Sequence, residues 1–223
     1  MSRLKARSTF VPYITMRKGE EPAPVTMLSA SPARGLYYAD EGPGDRDDRG
    51  VLWARCSQNR DGNAVLGEPR WKDVHPARQR ECMEALLCQG CVQQPSKTDL
   101  GYLFIATRPA DATSTDWIEG YRTAQPPLCL VHAKTAVDRC GHLLKRGAVA
   151  LRSRVPRLYG VLGTYYLDRG LQPPEPIETD PEEEDVPLPY KTRRYTPWIL
   201  ASQLVRELRG VTVVNLEEEI ARA

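Results

Sequence analysis

The pairs Cys88-Gln-Gly-Cys91 and Cys129-Leu-Val-His132 constrain this chain more than any other feature. Two ligands separated by two residues can grip one ion from a tight turn, and zinc takes thiolate sulfur and imidazole nitrogen in a tetrahedron. Gly90 offers the positive φ that such a turn often uses. The second pair opens a run of helix formers, so both of its side chains can face the same ion from a first helical turn. The basic residues 1–7 are not followed by an apolar run with a small-residue cleavage site, so a cytoplasmic, reducing setting is expected. There, six cysteines read as metal ligands or buried thiols before they read as disulfides.

Nearby candidates blur the ligand set. Cys140 and His142 follow on the same predicted helix, and at about 1.5 Å rise per residue Cys140 lies on the order of 12–16 Å from the helix start. One ion does not join both ends, so Cys140 is expected to be a core thiol and His142 a surface or helix-end residue. Cys140 is the substitute for His132 if the helix is broken. Cys82 lies almost two turns before Cys88, and Cys56 and His75 have no partner at ligand spacing. Catalytic zinc keeps one position open. Cys88, Cys91, Cys129 and His132 would fill all four, which makes the expected ion structural.

The remaining pattern is that of an α+β protein, rich in loops, with nineteen prolines in 223 residues. Residues 10–16, 35–39 and 50–55 read as short strands, the last two separated by a turn-rich acidic spacer that suggests a hairpin or long surface loop. Residues 78–87 read as a helix with an apolar stripe that leads into Cys88. Residues 101–107 form a strand, with a return strand near 117–122. Residues 130–144 form the helix behind Cys129, with Val131, Val137 and Leu144 apolar. Residues 148–154 and 158–167 form a strand pair turning at Val155-Pro156. Thr196-Pro197 suits a helix start; Leu200, Leu204 and Leu208 share one helical face, Gly210 closes that helix, and 211–216 is a last strand. This divides the chain into an N-terminal β-rich segment (1–72), a zinc-binding core (73–170), an acidic Pro-rich linker or loop (171–195) and a C-terminal helix and strand (196–223).

Knuckle, strand pair, then paired ligands at a helix start resembles a treble-clef zinc module, with small mixed or antiparallel sheet segments around it. The stretch Leu128-Cys-Leu-Val-His-Ala-Lys-Thr135 resembles the last knuckle and helix of HNH endonucleases. Those enzymes use a histidine base, an asparagine and a second metal-binding histidine, and residues 92–128 contain neither residue type. A wider resemblance rests on Tyr38-Ala-Asp-Glu41, Asp45-Arg-Asp47, Gly50-Val-Leu-Trp53, Val74-His-Pro76, Arg78-Gln-Arg80, Leu87 to Cys91, Pro127-Leu-Cys129, Cys140-Gly-His-Leu143 and Leu204-Val-Arg-Glu-Leu208. These are similar to a group of actinobacterial proteins, abundant in streptomycetes, with no assigned activity. Members of that group carry Cys-x-x-Cys at the second knuckle and Cys-Pro-His-Leu later; this chain departs at His132 and Gly141. The resemblance implies a fold and a bacterial cytoplasmic setting, and no substrate.

A net charge of +2 gives no global pull toward nucleic acid or anionic lipid. No stretch approaches the ~20 apolar residues that cross a bilayer, so a membrane partner is not expected. Asp40, Glu41, Asp45, Asp47 and Asp48 lack the alternating pattern of a calcium loop and read as a solvated turn. Lys145, Arg146, Arg152, Arg154 and Arg157 make a locally basic stretch; on alternate strand positions Arg152 and Arg154 would share a face and meet phosphates. Phosphate-loop, dinucleotide-turn, nucleophile-elbow and zincin motifs are absent. The expected role is a non-enzymatic binding or regulatory module with a protein or nucleic-acid partner. The alternative is a divergent or degenerate HNH-like metal-dependent nuclease.

Overall fold

The computed structural model describes residues 10–110, 112–167, 169, 170, 172, 174–177 and 186–223; the acidic run at 182–185 lies outside them. The N-terminal part contributes β1 (Thr15–Arg17), β2 (Leu28–Ser31), β3 (Gly35–Tyr38), β4 (Leu52–Trp53), β5 (Arg60–Asp61), β6 (Ala64–Val65) and β7 (Pro69–Val74). The middle holds α1 (Pro76–Glu84), β8 (Lys97–Thr98), β9 (Gly101–Thr107), β10 (Arg122–Thr123), α2 (Leu130–Arg139) and α3 (Gly141–Arg146). The chain then forms β11 (Ala148–Leu167), β12 (Glu175–Pro176), β13 (Leu188–Pro189), β14 (Ile199–Val214) and α4 (Leu216–Ala221). The result is a mixed α+β fold around one eight-stranded sheet of order β10-β14-β11-β9-β8, in which β12 and β13 also pair with β11 and β4 runs parallel to β14.

Two long antiparallel strands dominate. Partners run from Ala150 opposite Val214 to Tyr165 opposite Ile199, with irregularities at 158–160 and 162–163. The sequence pattern places a helix on 200–208 and a turn at Val155-Pro156, and the structure corrects both. Leu200, Leu204 and Leu208 have helical spacing, but they belong to β14, a strand that is covered on both sides. Met83 and Val161 pack around Leu204, Leu52 packs around Leu200, and Leu151 with Trp117 packs around Leu208. A strand buried on two faces loses the alternation that identifies strands in sequence. The C-terminal order is therefore strand then helix, the reverse of the expected one, and Gly210 lies within the strand.

Pro156 is carried inside β11 because of register. Its partner Leu208 turns its N–H to Tyr121 O (2.8 Å) and its C=O to Gly120 N–H (2.9 Å), away from β11. The Pro156–Leu208 pair thus exchanges no ladder bonds, and the N–H that proline lacks is not one this ladder uses. Three further expectations change. β3 pairs with β2, and β4 with β14, so of the two expected forms the acidic spacer is the long loop and not a hairpin. Residues 117–122 become a short 3-10 turn and β10, which joins β14 instead of returning along β9. The helix behind Cys129 breaks at Cys140, whose extended φ/ψ of −74°/113° separates α2 from α3.

α1 lies against β14 and completes its outer edge. β10 pairs with residues 206 and 207 and β4 with 200 and 201. Between them, the buried amide of Gln79 substitutes for a strand. Its Oε1 accepts the Leu204 N–H at 2.8 Å, and its Nε2 donates to Leu204 O at 2.9 Å and Ala124 O at 2.7 Å. Arg206 returns the favour by donating to Met83 O (2.8 Å) and Glu84 O (3.1 Å), two carbonyls of the last α1 turn that have no partner inside the helix. At the other end Arg78, 1% exposed, forms a two-pronged ion pair with Glu20, 0% exposed. Burial alone would raise the Glu20 carboxyl, but the Arg78 bonds and the Arg17 N–H outweigh it and hold it below its ordinary range.

Replacing Gln79 by leucine keeps bulk but orphans the N–H and C=O of Leu204. Each buried orphan costs about 1–3 kcal/mol, so urea unfolding should show a loss of about 2–6 kcal/mol. An unchanged midpoint would mean the amide is not the strand's partner. Because the Glu20 carboxyl is lowered in the fold, its contribution is complete above the unfolded value and is lost as pH falls through the folded one. Glu20→Gln leaves Arg78 buried and uncompensated, at about 3–5 kcal/mol near neutral pH. Acid titration of the variant should then show a shallower fall than the parent; parallel curves would remove Glu20 from the acid response.

Candidate metal centre

Residues 88–91 form a knuckle just after α1, β8 and β9 form a short hairpin, and Cys129 caps the start of α2. Backbone bonds lock these pieces together. Gln89 N–H donates to Pro127 O (3.1 Å), Ser96 N–H to Leu128 O (2.9 Å) and Leu128 N–H to Leu103 O (2.9 Å). The knuckle closes on itself through Val92 N–H to Cys88 O (2.8 Å) and Cys88 N–H to Gln93 O (2.9 Å). Leu103, Ile105, Leu128, Ala133, Ala150 and Leu216 form the apolar bed on which Cys88 rests.

This frame brings Cys88, Cys91, Cys129 and His132 together, with one ligand atom of each inside 4.8 Å of all the others. Cys88 is buried and the other three are half-buried. His132 turns Nδ1 inward, 3.5 Å from Cys88 Sγ and 3.2 Å from Cys129 Sγ. A tetrahedral ion with bonds of about 2.3 Å to sulfur places its ligand atoms about 3.8 Å apart, so the cluster fits a metal ion in size and donor type. The Cys129 N–H also donates to Cys88 Sγ at 3.3 Å. Burial pushes the Cys91 thiol up to about 11 and raises that of Cys129, with the Cys88 sulfur adding to both, while burial lowers the His132 imidazole. A bound cation reverses the thiol preference, so binding releases protons and weakens in acid.

The knuckle conformation differs from the expected one. Gly90 does not take a positive φ; the left-handed position falls on Val92 at 60°, and a second on Leu86 at 51°, just past α1. Gly90 is needed for room. A Cβ there would lie 2.6 Å from His132 Cγ and 2.9 Å from Phe10 Cζ. Phe10 stacks on the imidazole at 4.5 Å between centroids and 20° between planes, which holds the ring's orientation. Phe10 carries no sequence signal for this role, because its contact with His132 exists only across the fold.

None of the other cysteines and histidines contributes a ligand atom to the cluster. Cys140 is exposed at the helix break, not the expected core thiol, and His142 is exposed beside it. Cys82 is buried, with its thiol pushed up to about 12 by that burial. His75 is buried at the α1 N-cap, with Nε2 3.2 Å from Ser57 O.

The basic stretch divides. Arg152 is 0% exposed, which corrects its placement on an open face beside Arg154. Its guanidinium is committed to Glu219, Ser96 and the Gly101 carbonyl. It ties α4 to the strand beside the metal cluster. Arg157 pairs with Glu207 at 2.7 Å. Lys145, Arg146 and Arg154 are exposed and have no carboxylate partner among the described residues. Glu219 was signalled by Asn215-Leu-Glu-Glu-Glu219, an N-cap followed by first-turn acids, in which Asn215 accepts the N–H groups of Glu217 and Glu218. The acidic spacer is neutralised from within: Arg55 binds Asp40 and Asp45, and Arg46 binds Glu41.

No protein-family model, curated protein or solved structure matched the chain.

Positive φ is costly for a β-branched residue, so Val92→Gly should stabilise the protein by about 1 kcal/mol after the extra entropy of glycine is subtracted. Gly90→Ala should destabilise it by displacing the His132 ring. Thermal melts of the two variants in the same buffer check the pair, and a destabilised Val92→Gly would contradict the strain at the knuckle.

Proposed function

We propose that the chain is a non-enzymatic binding protein whose fold is stapled by one structural zinc ion at Cys88, Cys91, Cys129 and His132. The observation that carries this reading is that the chain itself supplies all four donors of a tetrahedron, in a cluster packed on the sheet. A closed shell leaves no position at which the ion activates water. Three thiolates with one imidazole suit zinc among the common divalent ions. The order of knuckle, β8–β9 hairpin and α2 with two ligands at its start agrees with the treble-clef layout. The ion joins the segment after α1 to the start of α2, so its binding energy is folding energy.

Arg152 and Glu219 support a structural role for the neighbouring region as well, since the guanidinium that bonds Ser96 and Gly101 is spent inside the fold. For the nuclease reading, the hairpin segment offers no histidine or asparagine, His75 is buried, and His142 is exposed away from the cluster.

Metal analysis of the purified protein should give one zinc per chain. Cys88→Ser and Cys129→Ser should lose the metal and melt far below the parent, or fail to accumulate as soluble protein. Equal metal content and stability in both variants would sink the zinc staple. Incubation with nucleic acids and magnesium, manganese or nickel should show no cleavage above a metal-stripped control; cleavage that Gly90→Ala or Cys129→Ser abolishes would replace the binding reading with the enzymatic one.

A further inference from the structure

A cleft of about 710 Å³ opens on the side of the sheet edge where the loop at 48–50 faces the turns at 190–197. Its two walls are set by one buried carboxylate. Asp47, 7% exposed, accepts the backbone N–H groups of Arg49 (2.9 Å) and Val51 (3.0 Å) through Oδ1. Through Oδ2 it accepts the Tyr190 hydroxyl (2.8 Å) and the Trp53 indole N–H (3.4 Å). The loop and the opposite turn are therefore held at a fixed spacing from below. Burial and the adjacent Asp47 raise the Tyr190 phenol, so it remains a donor to that carboxylate.

Charge in this cleft departs from its surroundings. Arg34, Arg46 and Arg55, on the neighbouring loops, are paired with Glu41, Asp40 and Asp45. Arg49, Lys191 and Arg193 line the cleft, are exposed, and have no carboxylate partner among the described residues. Asp48 is the one acidic residue in the lining, against three cations. The Arg49 guanidinium lies over the Tyr190 ring at 4.7 Å, a contact that holds the side chain at the cleft without using its N–H donors. Like charges confined in a concave site focus the field and raise the local concentration of anions.

We propose that this cleft binds the phosphate groups of an anionic ligand, with Arg49 and Arg193 donating forked N–H pairs and Lys191 supplying a point charge. Nucleoside polyphosphates and single-stranded nucleic acid share that chemistry. The inference names a partner class for the binding role above and does not depend on the metal centre.

The full chain as purified is titrated by calorimetry at low salt with tripolyphosphate and, separately, with a short single-stranded oligonucleotide. At least one should bind. Arg49→Gln combined with Arg193→Gln should weaken that binding about tenfold or more, since two charge-assisted forks are removed, while zinc content and melting temperature stay at parental values. Binding of tripolyphosphate alone assigns a small phosphorylated molecule. Tighter binding of the oligonucleotide, with log K falling against log salt at a slope of about −2 for three cations, assigns a nucleic-acid strand. Failure of both anions to bind would overturn the proposal. So would binding that survives the double variant, or that is weakened equally by Lys145→Gln with Arg146→Gln on another surface. Metal content, read on the same samples, separates any such failure from failure of the zinc staple.

Discussion

The ladder between β11 and β14 is the interaction on which the other parts of this protein depend. It brings residues 150–165 against 199–214 and gives each strand an outer edge that something else must cover. For β11 that cover comes from β9, β13 and β12 in succession. For β14 it comes from β10, the Gln79 side chain and β4, contributed by three distant parts of the chain. Buried backbone groups without partners are too costly to leave open, so each of these pieces is recruited to a fixed place. α1 is held where it is because its Gln79 is one of those partners and because Arg206 closes its last turn.

The metal cluster sits one layer out from this ladder and solves a different problem. The knuckle, the β8–β9 hairpin and the start of α2 are short, and two non-glycine residues at positive φ, Leu86 and Val92, bracket the first pair of ligands. Conformations of that kind persist only where the surroundings over-determine them. Backbone bonds and the Phe10–His132 stack supply that determination, and the proposed ion would add to it. On the same face, Arg152 uses its guanidinium to join Glu219 of α4 to Ser96 and Gly101 of the hairpin. The region is thus stitched by buried charge beside the apolar bed under Cys88.

Charges across the molecule follow two regimes. Inside and around the acidic spacer, arginines and carboxylates are matched, and the buried Glu20–Arg78 pair fixes the entry to α1. In the cleft above Asp47, as at Lys145, Arg146 and Arg154, exposed cations have no carboxylate partner among the described residues, although the chain as a whole is nearly neutral. What sets the cleft apart is concavity: its three cations face one space, and Asp47 holds its two walls together from below.

The sequence by itself determined what depends on near neighbours. Two pairs of ligands at a spacing of three are a local property, and so are the helix that begins at Pro76 and the strand at Gly101–Thr107. The four side chains that cluster were therefore legible in the sequence, although the backbone that shapes them was not, since the left-handed residue is Val92 and the glycine serves to admit a ring. Tertiary structure decided the rest. Leu200, Leu204 and Leu208 are strand residues because both faces of β14 are covered, which erases the period that distinguishes strand from helix. Pro156 continues a strand because Leu208 points its hydrogen bonds the other way. Arg152 is interior because Glu219 arrives from 67 positions along the chain to meet it. Each of these outcomes was set by a partner remote in sequence, and no local pattern carries the identity of such a partner.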